Sequence, residues 1–305
     1  KRSRLATAGS GRQSSSAAAH LGPTPRLEEG FNTAAAAAHN SSLSGVGLTP
    51  EGLWTNYPMF ERTLQLGWEP ARPKERLDEW WARYGVRRYG RSHPSAVAAW
   101  RLLGRTAYAG HASSNVTAGL GSPISSHPRN FACPPRRLPP SQPTRALLAA
   151  TFARAWRLLL EAAPALDRAE SFRFDVIDLG RQVIAANFSE ANGRFEAARE
   201  AGDVTAMAAL AKTLLRMIDD YDRLLSSSKY FLLGPWIADA RSWAADERAK
   251  DALEFNARNQ LTLWGPTGQI SDYAKKEWGG LVRSYYRPRW ALYLEMAQRN
   301  ASQAE

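Results

Sequence analysis

Beyond residue 70 the apolar residues recur every three or four positions, the spacing of a helix with one buried face. In "KERLDEWWARYGVRRYG" the period places Leu77, Trp80, Trp81 and Tyr84 together. "SHPSAVAAWRLLGRTAY" carries Pro94 in its first turn, a start signal, and the same period buries Val97, Trp100 and Leu103 or Gly104. A third helix is predicted from Thr144, read as its N-cap, with Leu148, Phe152, Trp156 and Leu159 in one stripe. A fourth runs from about Phe172 with Ile177, Ile184, Phe188, Ala191 and Phe195 inward. Gly202 reads as its stop and Asp203 as the next N-cap, ahead of Met207, Leu210, Leu214, Met217 and Tyr221. Two further helical stretches cover roughly residues 232 to 260, and the pattern returns from Asp272, read as a cap, to Gln298. Strand signals are scarce after residue 70. The pattern predicts a mainly α fold, a bundle-like domain of antiparallel helices.

The pattern breaks in four places. Residues 1–44, rich in Ala, Ser and Gly, read as disordered or loosely attached. Residues 109–143, with "CPPRRLPPSQP", read as a long mobile loop. "GVGLTPEGLWTNYP" sets Glu51 between Pro50, which fixes the backbone before it, and Gly52, which lets the chain turn after it. From the residues alone, Glu51 is either a solvated turn residue or a carboxylate held toward a site. "NQLTLWGPTGQISDYA" forces a tight turn at Gly265, Pro266 and Gly268 directly after Trp264. That ring either covers its own helix pair or walls a pocket.

Composition narrows the function classes. The 305 residues carry a net charge of +11. Most of that excess sits in the two low-complexity stretches, so a folded nucleic-acid face is disfavoured. No apolar run reaches the ~18 residues of a membrane span. The single cysteine, Cys133, excludes an internal disulfide and a Cys-rich metal site, and none of the five His has a second ligand at metal spacing, so no metal and no cofactor are expected. Asn40, Asn115, Asn187 and Asn300 head N-glycosylation sequons and permit a secretory route. Asp219 and Asp220 read as a solvated helix face, and most of the 11 Trp as core, with exceptions in loops rather than mid-helix.

Five stretches, in order, carry a resemblance: "GVGLTPEGLWTN", "RRYGRSHPSAVAAWRLL", "FRFDVIDLGRQ", "YFLLGPWIADAR" with "NARNQLTLWGPTGQISDYA", and "GLVRSYYRPRW". From about Gly45 to its end, the loop at 109–143 apart, the chain resembles the α-N-acetylglucosaminidase family of glycoside hydrolases. The resemblance implies three segments: 1–44 of low complexity, 45–70 as the last edge of a TIM-like barrel, and 71–305 as most of an all-α C-terminal domain. It implies removal of terminal α-linked N-acetylglucosamine from glycans such as heparan sulfate, in a lysosomal, vacuolar or secreted setting. It also implies that Glu51, in the "PEG" turn, is the nucleophile, and that Trp264, Ile270 and Tyr273 line the same sugar pocket.

The chemistry agrees with a protein nucleophile. In an α-linked substrate the 2-acetamido group lies on the leaving-group side and cannot attack from behind. A carboxylate must then form the glycosyl–enzyme intermediate, with a second about 5–5.5 Å away to protonate the leaving oxygen. The family's acid/base carboxylate lies on upstream barrel strands that nothing in these residues matches. Thr55 stands where the family has Gln, and Gln269 where it has Asn. The chain, which starts without Met, is therefore expected to be a fragment that is inactive alone. The alternative is a non-catalytic helical scaffold derived from the enzyme. The expected partner is the glycan, with no specific nucleic acid and no membrane span; a homo-oligomer is allowed.

Overall fold

The computed structural model describes residues 4–8, 28, 30, 33, 43–48, 57–68, 76–109, 122–128, 145–268 and 271–302. Helices dominate, as the periodicity predicts. Strands β1 (Arg4–Ala8) and β2 (Leu43–Leu48) precede helices α1 (Tyr57–Leu66), α2 (Leu77–Tyr89), α3 (Pro94–Arg105), α4 (Arg145–Leu166), α5 (Glu170–Glu200) and α6 (Val204–Ser226). A 3₁₀ turn (Lys229–Phe231), α7 (Leu233–Ser242), α8 (Glu247–Leu261), a π-helical segment (Val282–Tyr286) and α9 (Arg287–Ser302) follow. The chain divides into two units: 1–120 with 138–176, and 121–137 with 177–305. No helix among the described residues is long and apolar enough to cross a membrane.

The first unit is built on an aromatic core. Trp80, Trp81, Tyr84 and Trp100 are all buried. Trp81 stacks on Trp100 with centroids 6.1 Å apart, and Tyr84 meets Trp100 edge-on at 4.6 Å. Two glycines make room for the rings. A methyl on Gly85 would sit 2.7 Å from Trp100 Cδ1, and one on Gly104 would overlap Trp81. Each helix of the α2–α3 pair thus offers a glycine to the other's tryptophan, and the backbones approach closely. Pro94 opens α3, with His93 as N-cap accepting from Ser95 N–H at 3.2 Å.

A buried polar network closes this unit. Arg88 donates twice to Asp175, at 2.6 and 2.8 Å, and Tyr89 Oη donates to the same carboxylate at 2.9 Å. Trp100 Nε1 donates to Tyr89 Oη at 2.9 Å, and Ser171 Oγ to Arg88 O at 2.6 Å. Burial alone would lower the Arg88 pKa; the charge of Asp175 outweighs it and raises it.

In the second unit α5 ends at Gly202 (φ 71°), and Asp203 caps α6 by accepting from Ala206 N–H at 2.8 Å, both as expected. Met207, Leu214, Ile218 and Tyr221 are fully buried along α6, while Leu210 and Met217 are half-buried at the edge of the stripe. Phe188 meets Trp290 edge-on at 4.9 Å.

Besides one addition, three expectations need correction. The addition concerns described residues near the start: Arg4–Ala8 pairs in parallel with Leu43–Leu48, and Glu28 accepts from the fully buried Arg62 at 2.6 and 2.9 Å. Composition hid both, because the pairing partner and the cation lie far away in sequence. Within 109–143, residues 122–128 form a packed turn in which Ile124 is fully buried. The tryptophans divide more evenly than expected: Trp68, Trp236, Trp243 and Trp264 are exposed, and Trp236 lies within α7. Asp272 is no N-cap: its carboxylate is committed to Arg289, and no helix follows before residue 281. The Thr144 cap lies outside the described residues.

Gly104→Ala should lower stability in urea denaturation by about 1–3 kcal/mol, because a rigid ring has to move. Gly193→Ala is the control. Gly193 is exposed in α5 with open space where a Cβ would stand, so alanine there should stabilise by about 0.5–1 kcal/mol.

Candidate active-site wall

The loop after α8 is tied at its base. Trp264 N–H donates to Asn259 O at 2.7 Å, and Asp272 N–H to Thr262 O at 2.8 Å, so the two ends of the loop are held together. With its amide oxygen toward the Gly265 N–H, the Asn259 side chain also satisfies both polar groups of Gly265, at 3.1 and 3.3 Å. Gly265 (φ 133°) and Gly268 (φ 74°) take conformations open to glycine. Trp264 (φ 47°) and Asp272 (φ 62°) are the non-glycine residues with positive φ among those described. A left-handed non-glycine residue costs about 1–3 kcal/mol, and such strain clusters at functional sites.

That strain brings two expected site residues together. The rings of Trp264 and Tyr273 lie 5.3 Å apart at 59°. Trp264 is 37% exposed and Tyr273 54%. Two large rings in contact, both facing solvent, suit a sugar face, which aromatic side chains cover well. Ile270 and Glu51 lie outside the described residues, as do Asn40 and Asn115. Asn187 and Asn300 are exposed on α5 and α9.

The segment after Tyr273 is bound by charge. Glu277, buried, pairs with buried Arg181, which also donates to Asp178 at 2.5 Å. Burial would lower the Arg181 pKa, but Asp178 and Glu277 raise it. Tyr221, beside them, is pushed well above its ordinary value by burial and then by the charge of Glu277. Lys275 Nζ donates to Ser126 Oγ at 2.7 Å, and burial lowers its pKa. Arg289 Nη1 donates to both Asp272 oxygens, at 2.9 and 2.7 Å, and Nη2 to Ser125 O at 3.1 Å. Trp290 Nε1 donates to Ile124 O at 3.0 Å. The sequence reading missed the Arg289–Asp272 and Arg181–Glu277 pairs. For the first the signal was present: "SDYA" and "YYRPRW" both belong to the stretches that carry the resemblance. Glu277 lies between those stretches. Asp219 and Asp220 do face solvent, but Asp219 pairs with Arg287 at 2.6 Å.

Among the described residues no group of three or more His, Cys, Asp or Glu could hold a metal ion. An open groove of about 690 Å³ in this unit is lined by His127, Arg199, Arg289, Leu292, Tyr293 and Met296; neither Trp264 nor Tyr273 lines it.

Residues 80–305 match the family model described as the alpha-N-acetylglucosaminidase (NAGLU) C-terminal domain. The chain belongs to that family. It is 39% identical over 262 residues to human alpha-N-acetylglucosaminidase, a match covering 84% of this chain and 33% of the human protein. The chain thus spans about a third of the length of that relative. Its fold matches a family 89 glycoside hydrolase from Clostridium perfringens in complex with its substrate GlcNAc-alpha-1,4-galactose, at a TM-score of 0.77 and 24% identity, over 93% of this chain and 32% of the other. The same enzyme in complex with PUGNAc matches at 0.77 and 24%, over 94% and 32%. At that identity the match establishes the fold.

Two ion pairs should differ sharply in weight. Glu277→Ala leaves Arg181 buried with Asp178 alone and should cost about 3–5 kcal/mol. Asp219→Ala breaks a half-exposed pair and should cost no more than about 1 kcal/mol. Equal losses in chemical denaturation would contradict the burial-based ranking.

Proposed function

We propose that this chain is part of a retaining glycoside hydrolase that removes terminal α-linked N-acetylglucosamine, with Glu51 as nucleophile. Trp264, Ile270 and Tyr273 hold the sugar. The observation that carries this reading is the solvent-facing Trp264–Tyr273 pair, presented by a loop with positive φ at Trp264 and Asp272. The name of the human relative and the substrate held by the clostridial enzyme support the choice of sugar. The 2-acetamido group of an α-glycoside cannot displace its own leaving group, so a protein carboxylate attacks and a second protonates the leaving oxygen. A ring against the sugar face holds the anomeric carbon in line with that attack. Heparan sulfate is the proposed natural glycan class, and a lysosomal, vacuolar or secreted setting goes with it.

The second carboxylate belongs to barrel strands outside the matched motifs. The 305 residues alone should therefore show no turnover of an aryl α-N-acetylglucosaminide above a Glu51→Gln control. Glu51-dependent turnover by the isolated chain would contradict the two-carboxylate reading. In a protein joining this chain to its barrel, Trp264→Ala should lower kcat/KM by on the order of 10²-fold, about 3 kcal/mol. The melting temperature should barely change, because the ring is partly exposed. A large fall in melting temperature with activity per folded molecule intact would make Trp264 a packing residue.

A further inference from the structure

We infer that Arg289 is a positioning residue for the sugar site: acting through Asp272, it holds the left-handed turn that sets Tyr273 against Trp264. The inference rests on the role proposed above for that aromatic pair.

Aspartate tolerates a left-handed conformation when its short side chain bonds locally. Here both carboxylate oxygens bond instead to Arg289, 17 residues on. The other end of the guanidinium reaches Ser125 O in the packed turn 122–128. Two residues beyond Tyr273, Lys275 bonds Ser126 in that same turn. Tyr273 is therefore bracketed. The residue before it and the second residue after it are both tied to residues 122–128, the former through Arg289. The turn is in turn fixed by Trp290, the residue next to Arg289. The guanidinium carbon lies over the rings of Tyr285 and Tyr286, at 5.1 and 5.2 Å, which restricts its freedom to swing. Those rings come from the π-helical segment, a form that often marks functional sites.

Arginine is required for geometric reasons. A guanidinium can donate in two directions at once while stacking on rings, whereas an ammonium is a point charge on a flexible stem. Arg289→Lys should behave like a loss, not a conservative change. Glycine at 272 should substitute for the clamp, because it takes positive φ without a partner.

The test uses the chain labelled with 5-fluorotryptophan, with the Trp264 fluorine resonance assigned through Trp264→Phe. Arg289→Gln and Arg289→Lys should move the Trp264 resonance toward that of exposed Trp243, with helical circular dichroism unchanged. Asp272→Ala should produce the same shift, and Asp272→Gly less than half of it. Arg289→Gln should add little further shift in the Asp272→Gly background. An unmoved Trp264 resonance in Arg289→Gln, or an equal shift in both backgrounds, overturns the inference. If Arg289→Gln fails to fold, Asp272→Ala against Asp272→Gly decides alone: equal shifts overturn it. No sugar is present, so the result is independent of the kinetic test of Trp264→Ala. A moved resonance beside unimpaired Trp264→Ala kinetics leaves the clamp standing and removes its functional role.

Discussion

The placement of the aromatic pair depends on one guanidinium that cannot leave its site. Arg289 joins a strained aspartate to a packed turn, and its guanidinium carbon lies over two tyrosine rings. Asp272 and Arg289 are only 13% and 15% exposed, so their attraction is weakly screened by water. A surface pair could not hold a backbone in an unfavourable conformation, because such pairs contribute about 0–1 kcal/mol against a strain of similar or greater size. Burial, and charge-assisted hydrogen bonds from Nη1 to both carboxylate oxygens, shift that balance.

The first unit relies on the same device. Arg88 meets Asp175 through two hydrogen bonds, Tyr89 adds a third, and Trp100 fixes the phenol. In the second unit Arg181 is flanked by Asp178 and Glu277. In all three places an arginine largely shielded from water meets one or two carboxylates. This gives a structural role to charged residues within the stretches that carry the resemblance. "RRYG" and "FRFD" are the two halves of one network, and "DLGRQ" supplies the arginine that holds Glu277. Each network fixes the geometry of its neighbours, and removing one member leaves a buried charge behind.

Much of the helical fold was legible because period and caps agreed. Pro94, Gly202 and Asp203 mark boundaries through backbone chemistry that acts within a few residues. The errors came where a distant partner decides. Asp272 has the composition of a cap, yet its carboxylate is taken by Arg289, so no helix begins there. Residues 122–128 look like loop from their Ser and Pro content, but Trp290 and Arg289 bury them. Trp236, within α7, and Trp243, just after it, are exposed although most tryptophans were expected in the core. For the site, the Gly-Pro turn pointed to Trp264, and the resemblance supplied Tyr273 and Ile270. The contact between Trp264 and Tyr273 needed the structure, because it follows from two left-handed residues, neither of them glycine.

The role of Glu51 admits a direct test. A full-length protein containing this chain would be incubated with an activated, fluorinated α-N-acetylglucosaminide whose glycosyl–enzyme intermediate breaks down slowly. It would then be digested and its peptides weighed by mass spectrometry. A retaining mechanism with Glu51 as nucleophile predicts one fluorinated N-acetylhexosaminyl group on the peptide containing Glu51, lost in Glu51→Gln and reduced in Trp264→Ala. A label on a different carboxylate, or turnover with no covalent adduct and inverted product, would contradict it.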